Sequence, residues 1–321
     1  MPKFIYLDQN KWIDLAKTLI KPRQNTQYHE VSQLIQSKVD SQEWLFPLSL
    51  VHFIETLRRA EPGSRRRLAS VMSEISKNSA LKSYVDIEEI ELFNLLAKVH
   101  APNEVRAIEP IEYNFLAAIG VTKVELSTKS YVPSDLAREI AALMIQFISD
   151  DHLFEKMLMG IEYDLVLAGI DGEDRQAVEM WTAEQSFLKS IPGKLKYKEF
   201  LVRQMAPFLA MAASKFAIHF KLPKDEVIPY SFTSNPEDVL RYFEGVPSLD
   251  TRIRLMFDRM KNPEHKIELH DSRDISFLAT AIPYCDIVIT ERTWKHAANS
   301  QGLCEKYNTV VESNLNYLLS C

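Results

Sequence analysis

The sequence contains little cysteine and has no excess of positive charge, and each of these absences excludes a class of protein. Its 321 residues include only three cysteines, Cys285, Cys304 and Cys321, whose spacing fits neither a disulfide framework nor a zinc site. So few cysteines suit a reducing cytosol, and we expect a cytoplasmic protein. The net charge of −6 argues against a protein that coats nucleic acid nonspecifically, although it leaves room for a local basic groove.

Long hydrophobic runs are also absent. The most membrane-like stretch, residues 205–220, contains Pro207, Lys215 and His219 and is too short to span a bilayer. It therefore predicts a buried helix, and we expect no membrane partner. The chain opens on a strand-like run at residues 4–7 in place of a basic-then-apolar signal peptide.

Strand patterns occur at both ends of the chain and alternate with helical patterns. Residues 4–7 form an apolar run that ends at Asp8, and residues 44–46, 286–290 and 309–311 give three further strands. Strands that alternate with helices predict an α/β fold with a mostly parallel sheet of four or five strands. Ligands of such sheets bind at the carboxyl ends of the strands.

The middle of the chain is almost wholly helical in its periodicity. We predict an all-helical insertion over residues 86–264, because so long a stretch cannot be a simple connection inside a compact domain. Residues 1–85 and 265–321 would then form the α/β domain. Helices are expected from Pro133 and over 236–243, a small strand within 120–131, and a turn at Pro62–Gly63.

Acidic residues follow the predicted strands or lie on the helices after them. Asp8 comes after the first strand and Glu291 after the strand 286–290, Glu55 lies on a helix, and Asp271 and Asp274 begin another helix. Divalent magnesium or manganese takes oxygen ligands, and nucleases use such ions to activate water and to neutralise phosphate charge. Carboxylates from opposite ends of the chain are therefore expected to meet at one metal site.

Four segments resemble the motifs of PIN-domain nucleases. Residues 5–10 (IYLDQN) look like the family's opening strand, and Ser49 with Glu55 six residues later, within residues 47–57 (PLSLVHFIETL), is similar to its second motif. Residues 271–281 (DSRDISFLATA) and 286–294 (DIVITERTW) resemble the third and fourth motifs. In the fourth, Glu291 follows the threonine directly, whereas the family generally has aspartate one or two positions later.

The resemblance implies a PIN-like sheet and a metal-dependent nuclease, with RNA as the expected substrate and, by analogy, a possible toxin or defence role. It implies Mg²⁺ or Mn²⁺ as cofactor, held by Asp8, Glu55 and Asp274. The fourth acidic position is open between Glu291 and Asp271, and Asp271 could also simply cap its helix. The supporting residues that it implies are Asn10, Ser49 and Thr290.

Several alternatives remain open at the level of sequence. A basic cluster beside the acids could hold nucleic-acid phosphates, or it could be a solvated face that pairs with Glu61 and nearby acids. This cluster consists of Arg58, Arg59, Arg65, Arg66 and Arg67. The nuclease site could be degenerate, leaving an interaction scaffold whose helical region binds a protein partner or a second copy. A phosphatase with Asp8 as nucleophile is a third option, although Asn10 stands where such enzymes have a second aspartate.

Overall fold

The structure, a computed structural model, consists of strands and helices that alternate at the two ends of the chain and helices in between. It describes residues 2–23, 26–121, 150–160, 163–193, 196–227, 244–262 and 264–321. The predicted helices from Pro133 and over 236–243, and all but the first two residues of the predicted strand at 120–131, lie outside these ranges.

The strands are β1 (Lys3–Leu7), β2 (Trp44–Leu45), β3 (Ala80–Leu81), β4 (Ile111–Glu112), β5 (Ile287–Ile289) and β6 (Val310–Glu312). The α-helices of the described ranges are α1 (Gln9–Ile20), α2 (His29–Asp40), α3 (Leu50–Leu57), α4 (Pro62–Ser76), α5 (Tyr84–His100), α6 (Leu153–Gly160), α7 (Tyr163–Ser190), α8 (Lys196–Phe220), α9 (Lys224–Val227), α10 (Pro247–Met260), α11 (Asp271–Tyr284), α12 (Arg292–Ser300) and α13 (Leu303–Tyr307). Short 3₁₀ helices span Pro102–Glu104, Phe115–Ile119 and Leu315–Ser320.

A four-stranded parallel sheet joins the two ends of the chain, which confirms the α/β prediction. Its strand order is β2-β1-β5-β6, and Ile5 pairs with Ile287 and Leu7 with Ile289. The strand that follows β1 in the chain, β2, lies at one edge of this sheet, and the strand that follows β5, β6, lies at the other edge. A crevice therefore opens between the carboxyl ends of β1 and β5, the position where open parallel sheets bind ligands.

Both faces of the sheet are covered by hydrophobic core, because successive side chains of a strand point to opposite faces. Tyr6 and Val288 belong to one buried cluster, whereas Ile5, Leu7 and Ile289 belong to a second one. Strands buried on both sides read as continuous apolar runs, which explains why these were recognisable in the sequence.

The helical middle of the chain shares the first of these clusters with the sheet. Leu92 of α5, Phe200 of α8 and Leu249 of α10 pack in the same core as Tyr6 and Phe277. Helix α10 in particular packs along α11, which follows it in the chain. Within the described ranges, no helix is long and apolar enough to cross a membrane.

Two local features differ from the sequence prediction. Pro62 and Gly63 do not form a turn, since Pro62 is the first residue of α4 and Glu61 caps that helix. Proline is well suited to a first helical turn, where its missing N–H has no partner to lose. The strands β3 and β4 form a small antiparallel sheet that the sequence pattern did not indicate, and because β4 lies within residues 86–264, this stretch is not wholly helical as predicted.

Candidate functional site

Asp8 ends the first strand and lies in the crevice between β1 and β5. Its backbone N–H donates to the carbonyl of Ile289 at 2.9 Å, and its carboxylate accepts a hydrogen bond from the Thr290 hydroxyl at 3.1 Å. The side chain is buried, and this burial raises the pKa of Asp8 to about 6, with a further contribution from the charge of Glu291. Thr290, one of the predicted supporting residues, therefore holds the carboxylate of Asp8.

Glu55 reaches the same crevice from α3, a helix that is fastened to the end of β1. Ser49 caps α3, its backbone N–H donates to Nδ1 of His52 at 2.9 Å, and its hydroxyl bonds to the Tyr6 hydroxyl at 2.8 Å. The other ring nitrogen of His52 donates to the carbonyl of Leu7 at 2.7 Å. Burial and, to a smaller extent, the charge of Asp8 raise the pKa of Glu55 to about 7, against the opposing effects of Arg273 and Arg58.

Asp274 lies in the first turn of α11, where its carboxylate accepts a hydrogen bond from the indole Nε1 of Trp294 at 2.9 Å. Burial raises the pKa of Asp274 to about 8, and the charges of Asp8, Glu55 and Glu291 act in the same direction. The side chain of Trp294 is buried on α12. The N–H of its indole ring thus holds the carboxylate of Asp274.

Glu291 directly follows β5 and Thr290 and is the exposed member of the group. It is the N-cap residue of α12, but its carboxylate makes no capping hydrogen bond and instead accepts one from the Asn10 amide at 3.0 Å. Asn10 thereby orients Glu291, a supporting role like the one the sequence predicts.

These four residues, Asp8, Glu55, Asp274 and Glu291, are called the site acids below. The charges of Asp8, Glu55 and Glu291 each raise the pKa of at least one other site acid, and all three raise the pKa of Asp274. A cluster of carboxylates that disfavours its own ionisation is the arrangement that a bound cation would relieve. Carboxylate oxygens are also the ligands preferred by Mg²⁺, and the site acids are the side chains that could hold such an ion.

Three of the four site acids accept a hydrogen bond from a neutral donor. The donors are Thr290 for Asp8, Trp294 for Asp274 and Asn10 for Glu291. Accordingly, no group of three or more His, Cys, Asp or Glu side chains in the described ranges is arranged to hold a metal ion as it stands.

Asp271 is not among these four acids but supports one of them indirectly. It is buried as the first residue of α11, forms an ion pair with Arg259 and accepts the backbone N–H of Glu268 at 2.9 Å. The guanidinium of Arg259 in turn lies 5.3 Å from the centre of the Trp294 ring, whose N–H holds Asp274. Both oxygens of Asp271 are thus occupied away from the crevice, which favours Glu291 as the fourth acid.

The basic cluster is largely engaged within the protein. Arg66 pairs with Glu155 at 3.4 Å and Arg67 with Glu61 at 3.2 Å, the latter as the solvated-face alternative expects. Arg59 donates to the Ser64 hydroxyl, and Arg65 donates to the carbonyl of Arg59.

Arg58 has two acidic partners on α7. It forms ion pairs with Asp171 and, at 3.3 Å, with Asp174. Asp174 is buried and also pairs with Arg273 at 3.2 Å, so one carboxylate from the helical middle lies between arginines that border Glu55 and Asp274. Sequence reasoning missed Arg273 and Asp174, since no periodic signal links residues a hundred positions apart.

The remaining source of evidence is likeness to other proteins. Comparison of this chain with family models, curated proteins and solved structures gives no match.

Proposed function

We propose that this protein is a metal-dependent nuclease of PIN-like type that hydrolyses phosphodiester bonds, with RNA as the substrate. The observation that carries the proposal is the convergence of Asp8, Glu55 and Asp274 in one crevice, each with a raised pKa. Perturbed titratable groups that share a cleft are typical of functional sites.

The donor set fits a hard divalent cation such as Mg²⁺ or Mn²⁺. Asp8, Glu55 and Asp274 would hold the ion, with Glu291 as the fourth acid, and all of them offer oxygen atoms. When bound, such an ion lowers the pKa of water and neutralises charge on a scissile phosphate. Within the protein, Thr290 orients Asp8, Trp294 orients Asp274, and Asn10 orients Glu291.

The position of the site also supports the proposal. The crevice lies at the carboxyl ends of β1 and β5, where parallel sheets bind their ligands. Asp8 is buried and Asp274 is half-buried, so ionised carboxylates at these positions destabilise the folded protein. A functional role would explain why acids are nevertheless present there.

The test is a cleavage assay with labelled single-stranded RNA and single-stranded DNA, with Mg²⁺ or Mn²⁺ and with EDTA. We expect metal-dependent cleavage of RNA by the wild type and a loss of about a hundredfold or more in Asp8→Asn and Asp274→Asn, because each substitution removes a charge that would neutralise the ion. Asp286→Asn is the matched control, since Asp286 stands at the opposite, amino end of β5 and bonds to the N–H of Phe4.

Calorimetry with Mn²⁺ separates the nuclease from the scaffold alternative. Binding by the wild type that is lost in Asp8→Asn supports the proposal. No binding by the wild type, or equal cleavage by wild type and Asp274→Asn, would defeat it.

A further inference from the structure

A polar cavity adjoins the site acids at the carboxyl edge of the sheet. It has a volume of about 450 Å³ and is bordered by Glu291, so it shares a wall with the candidate site. Lys11 of α1, Tyr28 before α2, Arg292 after β5 and Asn314 after β6 also line it. A volume of this size falls within the roughly 300–1,000 Å³ of small-molecule sites.

The two cations of this cavity differ from those of the basic cluster. Neither Lys11 nor Arg292 forms an ion pair with any described residue, whereas Arg58, Arg66 and Arg67 have acidic partners. The other two arginines of the basic cluster are engaged by neutral groups, Arg59 by the Ser64 hydroxyl and Arg65 by the carbonyl of Arg59. Lys11 is close enough to the acids that its charge lowers the pKa of Asp8. The available positive charge beside the site acids therefore lies on the cavity side.

The other lining residues offer the contacts that a nucleotide needs. Tyr28 is half-buried and packs against the second core cluster, so that the aromatic side chain is anchored at the cavity wall. Aromatic faces stack unpaired bases, and amides such as those of Gln27 and Asn314 can bond to base edges. Bases inside a duplex stay stacked on one another and cannot enter such a cavity.

We propose that this cavity binds one nucleotide of single-stranded RNA beside the scissile phosphodiester, with Lys11 and Arg292 contacting phosphate and Tyr28 stacking on the base. The inference rests on the proposed nuclease function and adds the side from which the strand enters. It places recognition on the Lys11 and Arg292 side, away from α4 and its arginines.

The test is binding of a fluorescein-labelled single-stranded RNA 12-mer, followed by anisotropy. Two backgrounds prevent cleavage, the wild type in EDTA and Asp8→Asn, so a folding defect in one still leaves the other. We expect Lys11→Ala and Arg292→Ala each to weaken binding by about three- to tenfold and to reduce the salt slope by roughly one. Tyr28→Ala should weaken binding by about tenfold, and Tyr28→Phe should retain it.

Matched controls use the same loss of charge elsewhere. Arg66→Ala and Arg67→Ala on α4 should bind RNA as the parent does, and an RNA duplex should be insensitive to Tyr28→Ala. Unchanged binding by the Lys11, Arg292 and Tyr28 variants, a loss confined to the Arg66 and Arg67 variants, or no measurable RNA binding would each overturn the inference.

The cleavage assay distinguishes failure of this inference from failure of the nuclease proposal. If the wild type cleaves RNA and the cavity variants bind RNA normally, the protein is a nuclease whose RNA strand lies outside the cavity. If RNA binding depends on the cavity residues but the wild type does not cleave RNA, the cavity is an RNA-binding site and the protein is not a nuclease.

Discussion

At the scale of single residues, three carboxyl groups of the site keep their protons at a pH where exposed carboxyl groups have lost them. The pKa values of Asp8, Glu55 and Asp274 are raised to about 6, 7 and 8, first by burial and then by the charges of their neighbours. In the unfolded chain these groups have ordinary pKa values near 4. The folded protein without metal therefore binds protons that the unfolded protein releases.

This difference predicts how stability depends on pH. The contribution of the three acids is fully present below about pH 4 and is lost as pH rises through 6 to 8, because ionisation then favours the unfolded chain. We expect the Tm of the protein in EDTA to fall between pH 5.5 and pH 8.5. Asp274→Asn should flatten this dependence and raise the free energy of unfolding at pH 8.5 by on the order of 2 kcal/mol.

The measurement is thermal and urea denaturation of wild type and Asp274→Asn across this pH range. Glu91 also has a raised pKa of about 7, so the informative quantity is the difference between the two proteins. Asp286→Asn, an exposed acid at the other end of β5, is the control. Parallel pH profiles for wild type and Asp274→Asn would contradict the prediction.

At the scale of secondary-structure elements, one ionic contact ties the helical middle of the chain to the site. Asp174 of α7 pairs with Arg58, which follows α3, and with Arg273 of α11. These two elements carry Glu55 and Asp274. Helix α7 thus contributes to the relative placement of two site acids without contributing a ligand.

We predict that Asp174→Asn destabilises the protein by about 3 kcal/mol, because it leaves the largely buried guanidinium of Arg273 without its counter-charge and Arg58 with Asp171 alone. Asp171→Asn is the matched comparison. Its side chain is 48% exposed and, among the residues that the structure describes, pairs only with Arg58, so we expect a loss below about 1 kcal/mol. Urea denaturation at pH 7 measures both values, and equal losses would argue against this bridging role of Asp174.

At the scale of the whole molecule, the site depends on residues from both ends of the chain and on the helices between them. Asp8 and Glu291 are brought together by the pairing of β1 with β5. The first core cluster combines Tyr6, Val288 and Phe277 with Leu92 and Leu249 from the intervening helices. The sheet therefore cannot bury one of its faces without them.

A deletion tests this dependence. We expect a chain in which residues 86–264 are replaced by a short glycine-serine linker to lose cooperative unfolding and to expose apolar surface, because α10 would no longer cover α11. Circular dichroism during heating and binding of a hydrophobic dye would measure this outcome. A cooperative, dye-negative product would instead show that the two ends form an autonomous domain.

The sequence predicted the sheet and the acids at its edge because both depend on local patterns. Continuous apolar runs mark strands that are buried on both faces, and Asp8 and Glu291 come directly after such runs. The residues that position the site acids were harder to recognise in the sequence. Ser49 and His52 form a capping box with histidine in the third position, where glutamate or glutamine is usual, so the pattern was not recognised.

What the sequence determined by itself is the class of fold and the set of carboxylates available at the strand ends, since residue periodicity specifies both. Only the tertiary structure decided which acid faces the crevice. Asp271 is turned towards Arg259, and Glu291 is held by Asn10 through a contact between residues 281 positions apart. The tertiary structure also decided which cations are available, because ion pairs with distant helices engage Arg58 and Arg66 while Lys11 and Arg292 border the cavity. Such pairings depend on how helices pack in three dimensions, which no local pattern of residues records.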